Sequence, residues 1–76
     1  MTELIEFLVK ALVEDPGAVV VEELEEDGDL IYEISVAEGD LGRVIGKGGR
    51  VANAIRTVAK AAAVRLERRV VVDILD

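Results

Sequence analysis

Chemistry in this sequence concentrates in one stretch, Leu41-Gly42-Arg43-Val44-Ile45-Gly46-Lys47-Gly48-Gly49-Arg50-Val51. Glycines at 42, 46, 48 and 49 leave the backbone bare, and Arg43, Lys47 and Arg50 set full positive charges among them. Backbone N–H groups without a shielding Cβ can approach a phosphate oxygen, and adjacent cations add charge-assisted hydrogen bonds. Two known phosphate loops fail against it. A P-loop needs Gly, four residues and then Gly-Lys-Ser/Thr, but position 41 is Leu and Gly48 follows Lys47. The dinucleotide fingerprint needs a third glycine where Val51 stands, and a strand before it. A glycine-rich turn between two helices, carrying incidental bases, is the plain structural alternative.

Composition removes most catalytic chemistry. With no Cys and no His in 76 residues, disulfides, thiol nucleophiles, Cys-ligated zinc and the usual general base are all absent. No metal, no cofactor and no enzymatic function is expected. Phe7 and Tyr32 are the only aromatics, so a nucleic-acid site here cannot be a base-stacking platform. The formal charge of −7 argues at first against nucleic acid. Its distribution reverses that. Residues 1–40 hold thirteen acids and one base, whereas residues 41–76 hold eight bases and three acids. Every base except Lys10 falls between Arg43 and Arg69, a confined footprint for phosphates. No apolar run approaches a membrane span and no signal peptide is read, so a cytoplasmic location is expected.

The elements that must position the glycine stretch follow from periodicity. Thr2 reads as an N-cap, and Leu4, Leu8, Ala11 and Leu12 recur at helical spacing until Asp15-Pro16-Gly17 stops the helix. Ala18 to Glu25 reads as a strand, Asp27-Gly28 as a type I′ turn, and Leu30 to Val36 as a second strand with Leu30, Tyr32, Ile34 and Val36 inward. Asp40 is expected to cap a short helix through Arg43, Val44 and Ile45. A longer helix over 50–65 is expected to bury Val51, Ile55, Val58, Ala59 and Ala62, with Arg50, Asn53, Thr57 and Lys60 on its polar side. Arg69 to Leu75 is the last strand. The class is α+β, in the order α-β-β-α-α-β, as one domain over 1–76: a three-stranded sheet covered on one face by three helices.

Val44-Ile45-Gly46-Lys47-Gly48-Gly49 between a short and a long helix is a VIGxxG signature. On these residues the sequence resembles the KH domain, whose GxxG loop clamps about four nucleotides of single-stranded RNA or DNA. The element order is that of the bacterial, type II KH fold. The resemblance covers essentially the whole chain, and at this length it is similar to the small stand-alone bacterial KH proteins of the KhpA type. It implies binding of single-stranded RNA, or single-stranded DNA, as an RNA chaperone or post-transcriptional regulator. It also implies a homodimer, or a heterodimer with a second, larger KH-containing protein. A subunit that mainly dimerises or scaffolds, with RNA contact secondary, is the alternative.

Carried onto this sequence, the resemblance names Gly42, Arg43 and Ile45 from the short helix, and the loop residues Gly46, Lys47, Gly48, Gly49 and Arg50. Asn53 stands on the long helix, where it meets a sugar or base or is solvated. Arg68 and Arg69 belong to the opposite wall. Ile45, Val51 and Ile55 read either as groove floor or as plain core. Val64, Leu66 and the alanine-rich helix face are the candidate dimer contacts. The acidic hairpin, Glu22 to Asp29, reads as a solvated edge that resists aggregation.

Overall fold

Positive φ at two successive residues, +51° at Asp27 and +85° at Gly28, makes the type I′ turn that the Asp-Gly pair calls for. It joins strand β1 (Val20–Glu26) to strand β2 (Asp29–Ser35). The two run antiparallel, with Glu23 opposite Tyr32 and Leu24 opposite Ile31. Strand β3 (Val70–Ile74) lies parallel to β2 on its other side, Leu30 opposite Val70, so the sheet order is β1-β2-β3. Parallel neighbours require a crossover. Helices α2 (Leu41–Ile45) and α3 (Arg50–Ala63) supply it, and α1 (Thr2–Lys10) precedes the sheet. The computed structural model describes every residue, Met1–Asp76. None of its helices is long and apolar enough to cross a membrane.

Strand alternation builds one core. Leu30, Tyr32 and Ile34 of β2, with Val70 and Val72 of β3, are buried against Ile5 and Val9 of α1, Val44 of α2, and Ile55, Ala59 and Ala63 of α3. All three helices therefore cover the same sheet face, as the α+β reading expects. The buried stripe of α3 differs from the expected one. It runs Ala52, Ile55, Ala59, Ala63, while Val58 and Ala62 are exposed. Three of those four positions are alanine, whose small side chains let the helix axis approach the sheet. A stripe centred on Val58 would hold it away.

Two caps differ from expectation. Helix α1 has Met1, not Thr2, as its N-cap, because Ile5 N–H bonds Met1 C=O at 3.1 Å and Met1 packs on the core. The helix also ends at Lys10 rather than running to Asp15, its last turn tightened where Leu12 N–H bonds Val9 C=O. Asp40 occupies the N-cap position of α2 but makes no side-chain cap bond there. Its buried carboxylate instead accepts the backbone N–H groups of Glu14 and Asp15, each at 3.0 Å. A side chain twenty-five residues away thus satisfies the chain leaving α1. The hairpin is not wholly solvated either. Buried Tyr32 donates its hydroxyl to Glu23 at 2.6 Å, and burial followed by that carboxylate pushes its phenol up to about 12.

The Asp40 clasp sets a pH dependence. The Glu14 N–H is the main influence holding its carboxyl below the ordinary 3.8, with the Asp15 N–H and Arg43 adding to it against burial. A depressed folded-state pKa contributes stability above 3.8 that is lost as pH falls through the lower folded value. Asp40→Asn therefore lowers the thermal midpoint at pH 7. Circular dichroism melts across pH should show the gap to the parent closing only below about 3.8.

Candidate nucleic-acid interface

Helix α2 ends where the backbone turns in a way only glycine adopts readily: Gly46 has φ +76° and ψ 168°. The turn is closed by Gly46 N–H on Gly42 C=O at 2.9 Å and Gly49 N–H on Gly46 C=O at 3.1 Å. A Cβ at Gly46 would lie 2.4 Å from Val51 Cγ2 and 2.8 Å from Val51 N. Gly46 is thus held by packing as well as by φ. Gly48 also has positive φ, +67°, yet a Cβ there would meet nothing within 4 Å. The first glycine of the loop serves the fold, and the later one faces open space.

Helix α3 starts directly after this loop with no side-chain cap and no acid in its first turn. The Arg50 N–H is taken by Lys47 C=O, and no side chain or acid offsets the partial positive charge of this helix end. Lys47 and Arg50 flank that end, both exposed and neither in an ion pair. Anion binding is the chemistry such an end can perform.

Beyond the loop, α3 and β3 border a cleft of about 540 Å³ whose lining includes Arg56, Lys60, Arg68 and Arg69, against the acids Glu67 and Asp73. Strand β3 is an edge strand, and Arg56 reaches it, donating Nε to Val72 C=O at 3.1 Å and Nη1 to Asn53 Oδ1 at 3.3 Å. Asn53, Arg56 and Lys60, spaced i, i+3 and i+7, run along one helix face from loop to cleft. Asn53 is among the expected residues, whereas Arg56 and Lys60, which line the cleft, are not. Their spacing from Asn53 was the available signal.

The expected residues divide into groups. Gly46 to Arg50 form the loop, and Arg68 and Arg69 stand on the cleft's far wall. Arg68 is engaged internally, donating Nε to Gly28 C=O at 2.9 Å and pairing with Glu25. Arg43 turns to Glu14 and Asp40, its Nε 3.3 Å from Asp40 Oδ1. Gly42 is exposed, with open space above its Cα. Of the three residues left between floor and core, Ile55 is core, Val51 is half-buried beside Gly46, and Ile45 is exposed. Separately, α1 and α3 enclose an apolar hollow of about 370 Å³ lined by Leu8, Ala11, Leu12, Val51, Ala54 and Val58, among others.

Two helices joined by a GxxG turn over a three-stranded sheet, in the order α-β-β-α-α-β, define a type II KH domain. The family model described as KhpA/KhpB, KH domain matches residues 2–74, and the chain belongs to that family. It is 49% identical over 75 residues to the RNA-binding protein KhpA of Caldanaerobacter subterraneus subsp. tengcongensis, covering 99% of this chain and all of that one. It is 51% identical over 75 residues to the RNA-binding protein KhpA of Clostridium acetobutylicum, with the same coverage. Among solved structures it superposes on Era in complex with MgGDPNP and nucleotides 1506–1542 of 16S ribosomal RNA, with a TM-score of 0.67 and 25% identity. That match covers 96% of this chain and 28% of the Era chain.

The two glycines separate experimentally. Gly48→Ala meets only the strain of positive φ and costs about 1 kcal/mol. Gly46→Ala adds a forced displacement of Val51 and costs about 3 kcal/mol or more. Urea denaturation of the two variants measures the difference.

Proposed function

We propose that this chain is a non-enzymatic binder of single-stranded RNA, with the GxxG loop as phosphate clamp and the α3–β3 cleft as the groove for bases. The observation that carries it is the uncapped, acid-free start of α3 beside Lys47 and Arg50, both without ion-pair partners. Relatives matched over their full length bear the name RNA-binding protein, and the Era neighbour was solved with ribosomal RNA. Gly42, Ile45, Gly46, Gly48, Gly49 and Asn53 shape or line the path, and Lys47, Arg50 and Arg69 supply free charge. Arg43 and Arg68 join only by exchanging Glu14 and Glu25 for phosphate. With a single free loop and few aromatics, sequence preference is broad, single-stranded DNA is the related ligand, and the cellular role is that of a cytoplasmic RNA chaperone or post-transcriptional regulator.

Replacing Lys47 and Gly48 together by Asp puts two carboxylates where a cation and bare backbone stood. Asp tolerates left-handed backbone, and Gly48 has open space around it, so the fold survives. Titration with short single-stranded RNA should show binding abolished while circular dichroism is unchanged. The parent, contacting about three or four phosphates, should give a log–log salt slope of about −2 to −3 and bind duplex RNA more weakly. Parent-like binding by the folded double variant would remove the loop as the clamp.

The second reading, a dimerising subunit, is favoured by the apolar hollow between α1 and α3, where Leu12 and Val58 are about 40% exposed. A core this small gains from further burial. Self-association through that hollow gives a homodimer, and the same surface suits a larger KH-containing protein. Sedimentation should show association of the parent that Val58→Lys weakens by about tenfold or more. A strict monomer at high concentration would count against it.

A further inference from the structure

Residues paired across strands share a face of the sheet. Opposite the helices, Leu24, Ile31 and Val71 stand in one row across β1, β2 and β3. The next row holds Glu22, Glu33 and Asp73, and the one after it Val20 beside Ser35. No element of the chain covers this face. Val20 is 57% and Leu24 37% exposed.

The acidic row is costly to the free protein. Like charges directly opposite one another on a sheet repel, and none of the three has a cation within ion-pair distance. They do not converge as a metal-ligand set. An apolar row that is exposed at Leu24 and half-buried at Ile31 and Val71, beside an uncompensated acidic row, is a surface whose two halves each lack a counterpart. We propose that this outer sheet face is a docking surface for a cationic amphipathic helix of a partner protein. Its apolar stripe lies over Leu24, Ile31 and Val71, and its Lys or Arg stripe over Glu22, Glu33 and Asp73.

Charge complementarity selects that occupant over the others. Nucleic acid would bring phosphates against carboxylates. A second copy presenting the same face would set Glu against Glu. An extended peptide laid flat on the sheet would leave its own backbone groups unpaired, whereas a helix satisfies them internally. A helix about 10 Å across also spans two adjacent rows, which lie about 6.8 Å apart along the strands.

The test uses a synthetic amphipathic helix with Leu along one stripe and Lys along the neighbouring stripe, titrated into the isotope-labelled full chain. The amide resonances of Glu22, Leu24, Ile31 and Glu33, which lie away from the α3–β3 cleft, should shift, with affinity falling as salt rises. Glu22→Gln with Glu33→Gln should weaken the peptide about tenfold or more while raising the thermal midpoint of the free protein. Leu24→Ser should weaken the peptide as well. The Lys47→Asp, Gly48→Asp double variant should bind the peptide like the parent, which separates this surface from the RNA clamp. The proposal is overturned if the same helix carrying Glu in place of Lys binds equally. It is also overturned if the shifts map to the α1–α3 hollow, if single-stranded RNA shifts the Glu22, Leu24, Ile31 and Glu33 amides, or if the parent alone forms a dimer through this face.

Discussion

A backbone contact that only glycine permits controls the geometry of the loop. Any Cβ on residue 46 would clash with Val51, falling 2.8 Å from its backbone N, so α2 runs into α3 without displacement only with glycine at that position. The close approach fixes where α3 begins, and hence where its uncapped positive end emerges. Gly48 and the side chains of Lys47 and Arg50 are then carried to the surface at that point. The placement of the loop's charges is therefore a consequence of a packing constraint one residue upstream.

Charges in this chain have two kinds of employment. Asp40 and Arg43 join the segment after α1 to the start of α2 through Glu14 and Asp15. Arg68 fastens the β1–β2 turn to the loop before β3 through Gly28 and Glu25. Arg56 bonds the open edge of β3. Of these, Arg56 joins the two walls of the cleft, α3 and β3. Lys47, Arg50, Lys60 and Arg69 have no such internal ion-pair partner and remain available to an external anion. Counting bases between Arg43 and Arg69 overstates the free positive charge, because some of them are fasteners.

The sheet separates the two halves of the charge distribution. Bases from the second half of the chain gather along α3 and the loop before β3, and the first half supplies most of the acids on β1 and β2. Tyr32 and Glu23 tie the acidic hairpin inward at one point, while Glu22 and Glu33 are left facing outward from the sheet. Any polyanion approaching from solvent meets attraction on the α3 side and repulsion on the outer sheet face.

Local rules wrote much of this protein legibly. The Asp27-Gly28 turn, the alternation of Leu30, Tyr32 and Ile34, and the GxxG between two helices each depend on residues within a few positions of one another. All are as the sequence reads. The KH order followed from those signals laid end to end. What the sequence did not reveal depends on distant partners. The α3 stripe rotated away from Val58 because alanines at 52, 59 and 63 meet a sheet assembled from strands on both sides of α3 in the chain, β3 among them. Asp40 left its local cap for N–H groups at 14 and 15, since burial favours the carboxylate that satisfies two donors at once. Which arginines fasten walls and which stay free was likewise set by strand register, a long-range pairing that no local pattern of charges encodes.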